Sequence, residues 1–130
     1  MSTTFRIALY GAAAITAFDV LASAASRALK FPYSYATVGS WLIYAIVAFV
    51  VGRRAAIPAA IAATMLVGFV EATLGWWLSW LIGPGRGPTG TVTQAQIIAA
   101  LIFVLGTAAL IGAAAGAVGH ARPATEARAP

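Results

Sequence analysis

The sequence predicts an all-α integral membrane protein built from four transmembrane helices. Three observations carry this expectation. The chain has 130 residues, of which 62% are hydrophobic and 8% charged, whereas an ordinary soluble domain is about 45–50% apolar and about 25% charged. Its mean hydropathy is +0.92. Four apolar segments approach or exceed the ~20 residues that cross ~30 Å of hydrocarbon. So few charges cannot cover the surface of a water-soluble fold of this size. That argues against a soluble enzyme, a disordered tail and a nucleic-acid-binding domain.

The first span runs from about Phe5 to Leu29 and is closed by Lys30-Phe31-Pro32-Tyr33. It shares some marks of a signal peptide: Arg6, an apolar run and the small Ala22-Ser23-Ala24 stretch. Asp19 interrupts the run, which is long for a cleaved leader, so a retained span is expected. The second span covers about Tyr35 to Gly52, and Gly52-Arg53-Arg54 separates it from the third, about Ile57 to Ile82. The stretch Gly83–Gly90 is rich in Gly and Pro and reads as a loop. The fourth span covers about Val92 to Gly119. Residues 1–120 thus form one four-helix domain, and 121–130, rich in Ala, Pro and charge, read as a flexible polar tail.

At an offset of 52, Asp19 aligns with Glu71, Leu29 with Leu81 and Pro32 with Pro84. This is a pattern of two repeated helical hairpins, which an axis along the membrane normal would relate.

The net charge is +5, with Lys and Arg scattered in ones and twos near the span ends. That pattern suits lipid headgroups better than nucleic acid. One side collects Arg6, Arg53, Arg54, Arg122 and Arg128, and the other Arg27, Lys30 and Arg86. The excess places both termini in the cytoplasm and the chain in the cytoplasmic (inner) membrane, with a weak bias that leaves dual topology open.

Cysteine is absent, so there is no disulfide framework, thiolate metal site or cysteine nucleophile. The single histidine, His120, lies near the C-terminus. A zinc or haem site ordinarily needs more ligands than that, so neither a metal nor another cofactor is expected. Gly83-Pro84-Gly85-Arg86-Gly87 follows an apolar helix rather than a strand and lacks the lysine of a phosphate loop. It reads as a tight turn, with Arg86 near lipid phosphate.

Asp19 and Glu71 are the acidic residues inside the spans. Each costs about 2.5–3.5 kcal/mol at a bilayer centre on insertion scales, which makes an intramembrane carboxyl a functional hypothesis by default. Their helices run in the same direction, and both carboxyls fall slightly past the midpoint. Tyr44 in the second span and Thr107 in the fourth lie near the same level. Small and hydroxyl residues share the faces of three of these residues: Ala12, Thr16, Ala22, Ser23 and Ser26 around Asp19; Thr64, Gly68 and Gly75 around Glu71; Thr37, Ser40 and Ala48 around Tyr44. Such faces meet other helices rather than lipid. No basic residue lies at this depth; Arg27 is about 12 Å from Asp19 along the helix. The four residues Asp19, Glu71, Tyr44 and Thr107 therefore form a candidate ion- or proton-binding site. The competing reading has the carboxyls bonded to Ser, Thr and Tyr44 and serving to hold the bundle together.

Trp76, Trp77 and Trp80 cluster at the loop end of the third span. At about 100° per residue, Trp76 points about 140° from Glu71 and Trp77 about 120° the other way. An interfacial aromatic belt is the expected role of all three. Ala108, Gly112 and Gly116 form a small-xxx-small packing seam on the fourth span. It is rotated about 100° from Thr107, so the seam is expected to meet another copy or another subunit. Gln94 and Gln96 at the start of this span read as interfacial.

The plan resembles that of the small multidrug resistance transporters: four spans, little loop, an acidic residue in the first span and weak charge bias. The resemblance covers architecture, and the second acid in the third span departs from it, as does the lack of that family's usual motif there. Two functions stay open, with a lipid-handling protein as a weaker third. One is a proton-coupled or cation-handling transporter or channel that uses the carboxylate pair. The other is a non-catalytic accessory or scaffold subunit of a larger membrane complex. No enzyme is expected, because no nucleophile–base pair or metal cluster accompanies the carboxyls. The expected partners are membrane lipids and either further copies in a homo-oligomer or other membrane subunits.

Overall fold

The computed structural model describes residues 1–84 and 91–122. The described chain is all-helical: α1 (Thr3–Leu29), a 3-10 turn (Tyr33–Tyr35), α2 (Ala36–Gly52), α3 (Ile57–Val70), a π-helical turn (Glu71–Gly75), α4 (Trp76–Ile82) and α5 (Gln94–His120). α3, the π turn and α4 join into one rod, so four helices are long and apolar enough to cross a membrane. Most of the loop expected over Gly83–Gly90, including Arg86, lies outside the described residues, as does the tail from Pro123 onward.

Local chemistry sets the helix ends. The Ser2 hydroxyl accepts from the Phe5 amide at 3.3 Å and caps α1. At the other end Lys30 turns the chain with φ 56°, and Ser26 donates to the Phe31 carbonyl at 2.8 Å. Pro58 sits in the first turn of α3, where its missing N–H costs nothing. Thr93 and Gln96 form a reciprocal capping box on α5. That contact gives Gln96 a definite role in starting the helix.

α2 and α3 pack against each other, and each packs against both α1 and α5. α4 packs on α1. The interior is lined with small residues: Ala8, Ala48, Ala60, Ala63 and Ala108 are buried among Ile15, Val47, Val51 and Val67. Polar side chains are inside as well, with Asp19 2%, Ser40 3% and Thr64 and Ser79 0% exposed. Large apolar side chains such as Leu21, Leu42, Ile102 and Leu110 point outward.

The seam of Ala108, Gly112 and Gly116 differs from the expectation. All three residues are buried within the chain itself. Gly68 lies against Ala108, Gly112 against Thr64 and Ile61, and Gly116 against Ala60 and Gly52. The seam therefore docks α5 onto α3 and α2, and it is not a surface awaiting another subunit. The physical reason is side-chain size: helices approach closely where both offer small residues, and Gly52 on α2 and Ala60, Thr64 and Gly68 on α3 supply them opposite the seam.

Candidate functional site

Glu71 sits at the join between α3 and the π turn. Ser40 and Tyr44, one turn apart on α2, face it. Ser40 Oγ donates to Glu71 Oε1 at 2.6 Å, and the Tyr44 hydroxyl donates to Glu71 Oε2. Both carboxyl oxygens are thus engaged by neutral hydroxyls. Tyr44 is also in reach of Gly68, whose missing side chain lets α2 and α5 close over α3.

Asp19 is held differently. It lies on the buried stripe of α1 with Ile15, Ser23 and Ser26. The Tyr33 hydroxyl, from the turn before α2, donates to Asp19 Oδ1 at 3.4 Å. Asp19 Oδ2 is buried with no hydrogen-bond partner. It abuts the Cα of Gly75, where any side chain would overlap it. Arg27, the nearest cation on α1, instead donates to the Ile82 carbonyl at 2.8 Å and ties the ends of α1 and α4 together.

Asp19 and Glu71 both line one cavity of about 280 Å³. Tyr33, Trp76 and Ser79 join them in its lining, and Ala72, Ala100 and Val104 give it apolar walls. The structure brings together Asp19, Glu71 and Tyr44 of the residues the sequence singles out. It does not bring in Thr107, which is half-buried on α5 beyond Val104 and lines no part of the cavity.

Trp76 is the main departure from sequence geometry. The α-helical projection turns it away from Glu71, yet it lines the same cavity. The π turn between them inserts an extra residue into one helical turn, so every residue after Gly75 is rotated back relative to a regular α-helix. Trp80 meets the Trp76 ring edge-on, with centroids 5.4 Å apart. Trp77 is 57% exposed and points outward. All three remain at the α4 end of the rod, where an aromatic belt is expected.

Tyr33, Ser79 and the α5 wall were not visible as site residues in the sequence. Tyr33 reads there as loop punctuation. Ser40 was legible only as a small face-mate of Tyr44.

No family model, characterised protein or solved structure matches the chain. The functional reading therefore rests on the cavity's own geometry.

Proposed function

We propose that the chain is an integral membrane protein that handles a proton or a cation at the Asp19–Glu71 cavity, as a small transporter or channel. The observation that carries this is the unpaired carboxyl: Asp19 is 2% exposed, one of its oxygens has no partner, and the described cations lie at the helix ends. A purely structural carboxyl would be expected to have both oxygens satisfied, as those of Glu71 are. Polar groups inside and large aliphatic groups outside support insertion in lipid. Arg6, Arg53, Arg54 and Arg122 at one end, against Arg27 and Lys30 at the other, support cytoplasmic termini in the inner membrane. Asp19 and Glu71 contribute one carboxyl from each of two like-directed helices, which supports the two-hairpin repeat.

A second reading, an accessory subunit of a larger complex, draws on the first half of α5. There Ile98, Ile102 and Phe103 face away from the rest of the chain. The buried seam lends no support to a homo-oligomer. The deciding experiment reconstitutes the purified chain in liposomes and follows proton and cation flux. The transporter reading expects saturable flux that rises with pH, since protons compete with the cation for the same carboxylate, and that Asp19→Asn removes. No flux from the wild-type chain across protons and a broad cation panel, with stable copurification of other subunits, supports the accessory reading instead.

A further inference from the structure

The arginines at the end of the bundle that carries the N-terminus are unequally occupied. Arg53 Nε donates to the Arg122 carbonyl at 3.2 Å, and its guanidinium lies 5.9 Å from the centroid of the Phe49 ring. Arg6 and Arg54 are exposed, and among the described residues neither side chain has a hydrogen-bond or ion-pair partner. The two stand at one level. Gly11 on α1 lies against Val47 on the antiparallel α2, and at 1.5 Å per residue Arg6 and Arg54 are both about 8–11 Å beyond that contact. They also share a face. Arg54 follows Val47 and Val50 at seven- and four-residue spacing, and the helical turn reaches it, with the Arg54 amide donating to the Val51 carbonyl at 2.9 Å. Arg6 precedes Tyr10 at four-residue spacing, which puts both on one side of α1.

On this face a groove of about 260 Å³ runs between α1 and α2. Gly11 and Val47 are its buried floor, and Tyr10 and Ile46 stand 68% and 55% exposed at its lips. Ile7 and Val50 line the end nearest the two arginines. From Ile7 to Ala14 it covers about 10 Å of helix. A slot of this volume and length takes a hydrocarbon chain, whereas an α-helix about 10–12 Å across does not enter it.

We infer that the α1–α2 groove seats one acyl chain of an anionic phospholipid, with Arg6 and Arg54 on its headgroup phosphate. Two unpartnered cations at the mouth of an apolar slot complement a ligand with an anionic head on a hydrocarbon tail. A zwitterionic lipid carries its own cation and gains less from them. The inference rests on insertion of the helices in lipid and not on cation handling at the Asp19–Glu71 cavity, which none of these residues lines.

The test is native mass spectrometry of the full chain released from detergent micelles, titrated with dioleoyl phosphatidylglycerol or dioleoyl phosphatidylcholine. One phosphatidylglycerol per chain is expected, held at least about fivefold tighter than phosphatidylcholine. Arg6→Gln and Arg54→Gln should each weaken it about three- to tenfold. Lys30→Gln removes the same charge from the opposite end of the bundle and should leave binding within about twofold of wild type, because a screened headgroup contact acts over about a Debye length. Ala14 is exposed and lines the groove, so Ala14→Phe fills the slot from the lipid side and should abolish the tight binding. Equal affinity for the two lipids overturns the inference, and that comparison needs no variant to fold. So does a loss in Lys30→Gln as large as in Arg54→Gln, unchanged binding in Ala14→Phe, displacement of the lipid by excess inorganic phosphate, or a dimer that forms in place of the lipid adduct. Any of these outcomes leaves the cation-handling reading standing, since liposome flux measures that separately. A chain that stays monodisperse in water without detergent removes the membrane reading and this inference together.

Discussion

Asp19 and Gly75 touch through atoms that leave no room for a side chain: the carboxyl Oδ2 rests where a Cβ on Gly75 would lie. Gly75 closes the π turn and is buried, so the contact joins α1 to the segment that aims Trp76. Gly75→Ala improves intrinsic helix propensity by about 1 kcal/mol. Overpacking against a buried carboxyl costs about 1–3 kcal/mol, and the second effect should win. The expected outcome is a lower unfolding temperature in detergent together with weaker cation binding. A Gly75→Ala variant that melts higher and binds normally would show that the close approach has no role.

Tyr33→Phe removes the donor to Asp19 Oδ1. A neutral hydrogen bond contributes about 0.5–1.5 kcal/mol net, and here it competes with the ligand. Cation binding at Asp19 should therefore tighten by about three- to tenfold. Weaker binding in this variant would mean that the hydroxyl contacts the ligand instead of competing with it.

Glu71 accepts two hydrogen bonds from α2, and its replacements should separate shape from charge. Glu71→Gln keeps the size, and the hydroxyls of Ser40 and Tyr44 can each donate or accept, so the variant should fold with a near-normal melting temperature. Glu71→Ala leaves both hydroxyls unpaired in a buried site and should lose about 1–3 kcal/mol for each one left so. Equal melting of the two variants would show that the Ser40 and Tyr44 contacts contribute nothing to stability.

Gly112 and Gly106, both on α5, face different surroundings. A Cβ on Gly112 would overlap Thr64 Oγ1 and meet the Ile61 backbone at 3.0 Å, whereas a Cβ on Gly106 meets nothing within 4 Å. Gly112→Ala should destabilise by about 1–3 kcal/mol, and Gly106→Ala should be neutral or gain up to about 1 kcal/mol. Because the seam is internal, the Gly112 defect should not depend on protein concentration. Thermal unfolding at several concentrations checks this; a defect that disappears on concentrating the protein would mean that α5 docks on another copy.

The amino-acid sequence by itself determined the number, length and direction of the apolar helices, and the depth shared by Asp19, Tyr44 and Glu71. Composition and residue spacing set these locally, because a helix of fixed rise converts position along the chain into height. Which partner each face meets was decided only by the tertiary structure. Ala108, Gly112 and Gly116 read as a seam from spacing alone, but the partner of a seam is chosen by complementary small residues on helices distant in the chain. Trp76 reads as turned away from Glu71 because projection assumes an unbroken α-helix. The π turn from Glu71 to Gly75 breaks that assumption, and it lies where α1 presses the Asp19 carboxyl against Gly75. Tyr33 joins the site from a turn between helices, across a gap that no periodicity spans. The difference between the two acids, Glu71 with both oxygens satisfied and Asp19 with one free, has the same origin: hydrogen-bond partners are assigned by packing in three dimensions, and equal height on two helices does not distinguish them.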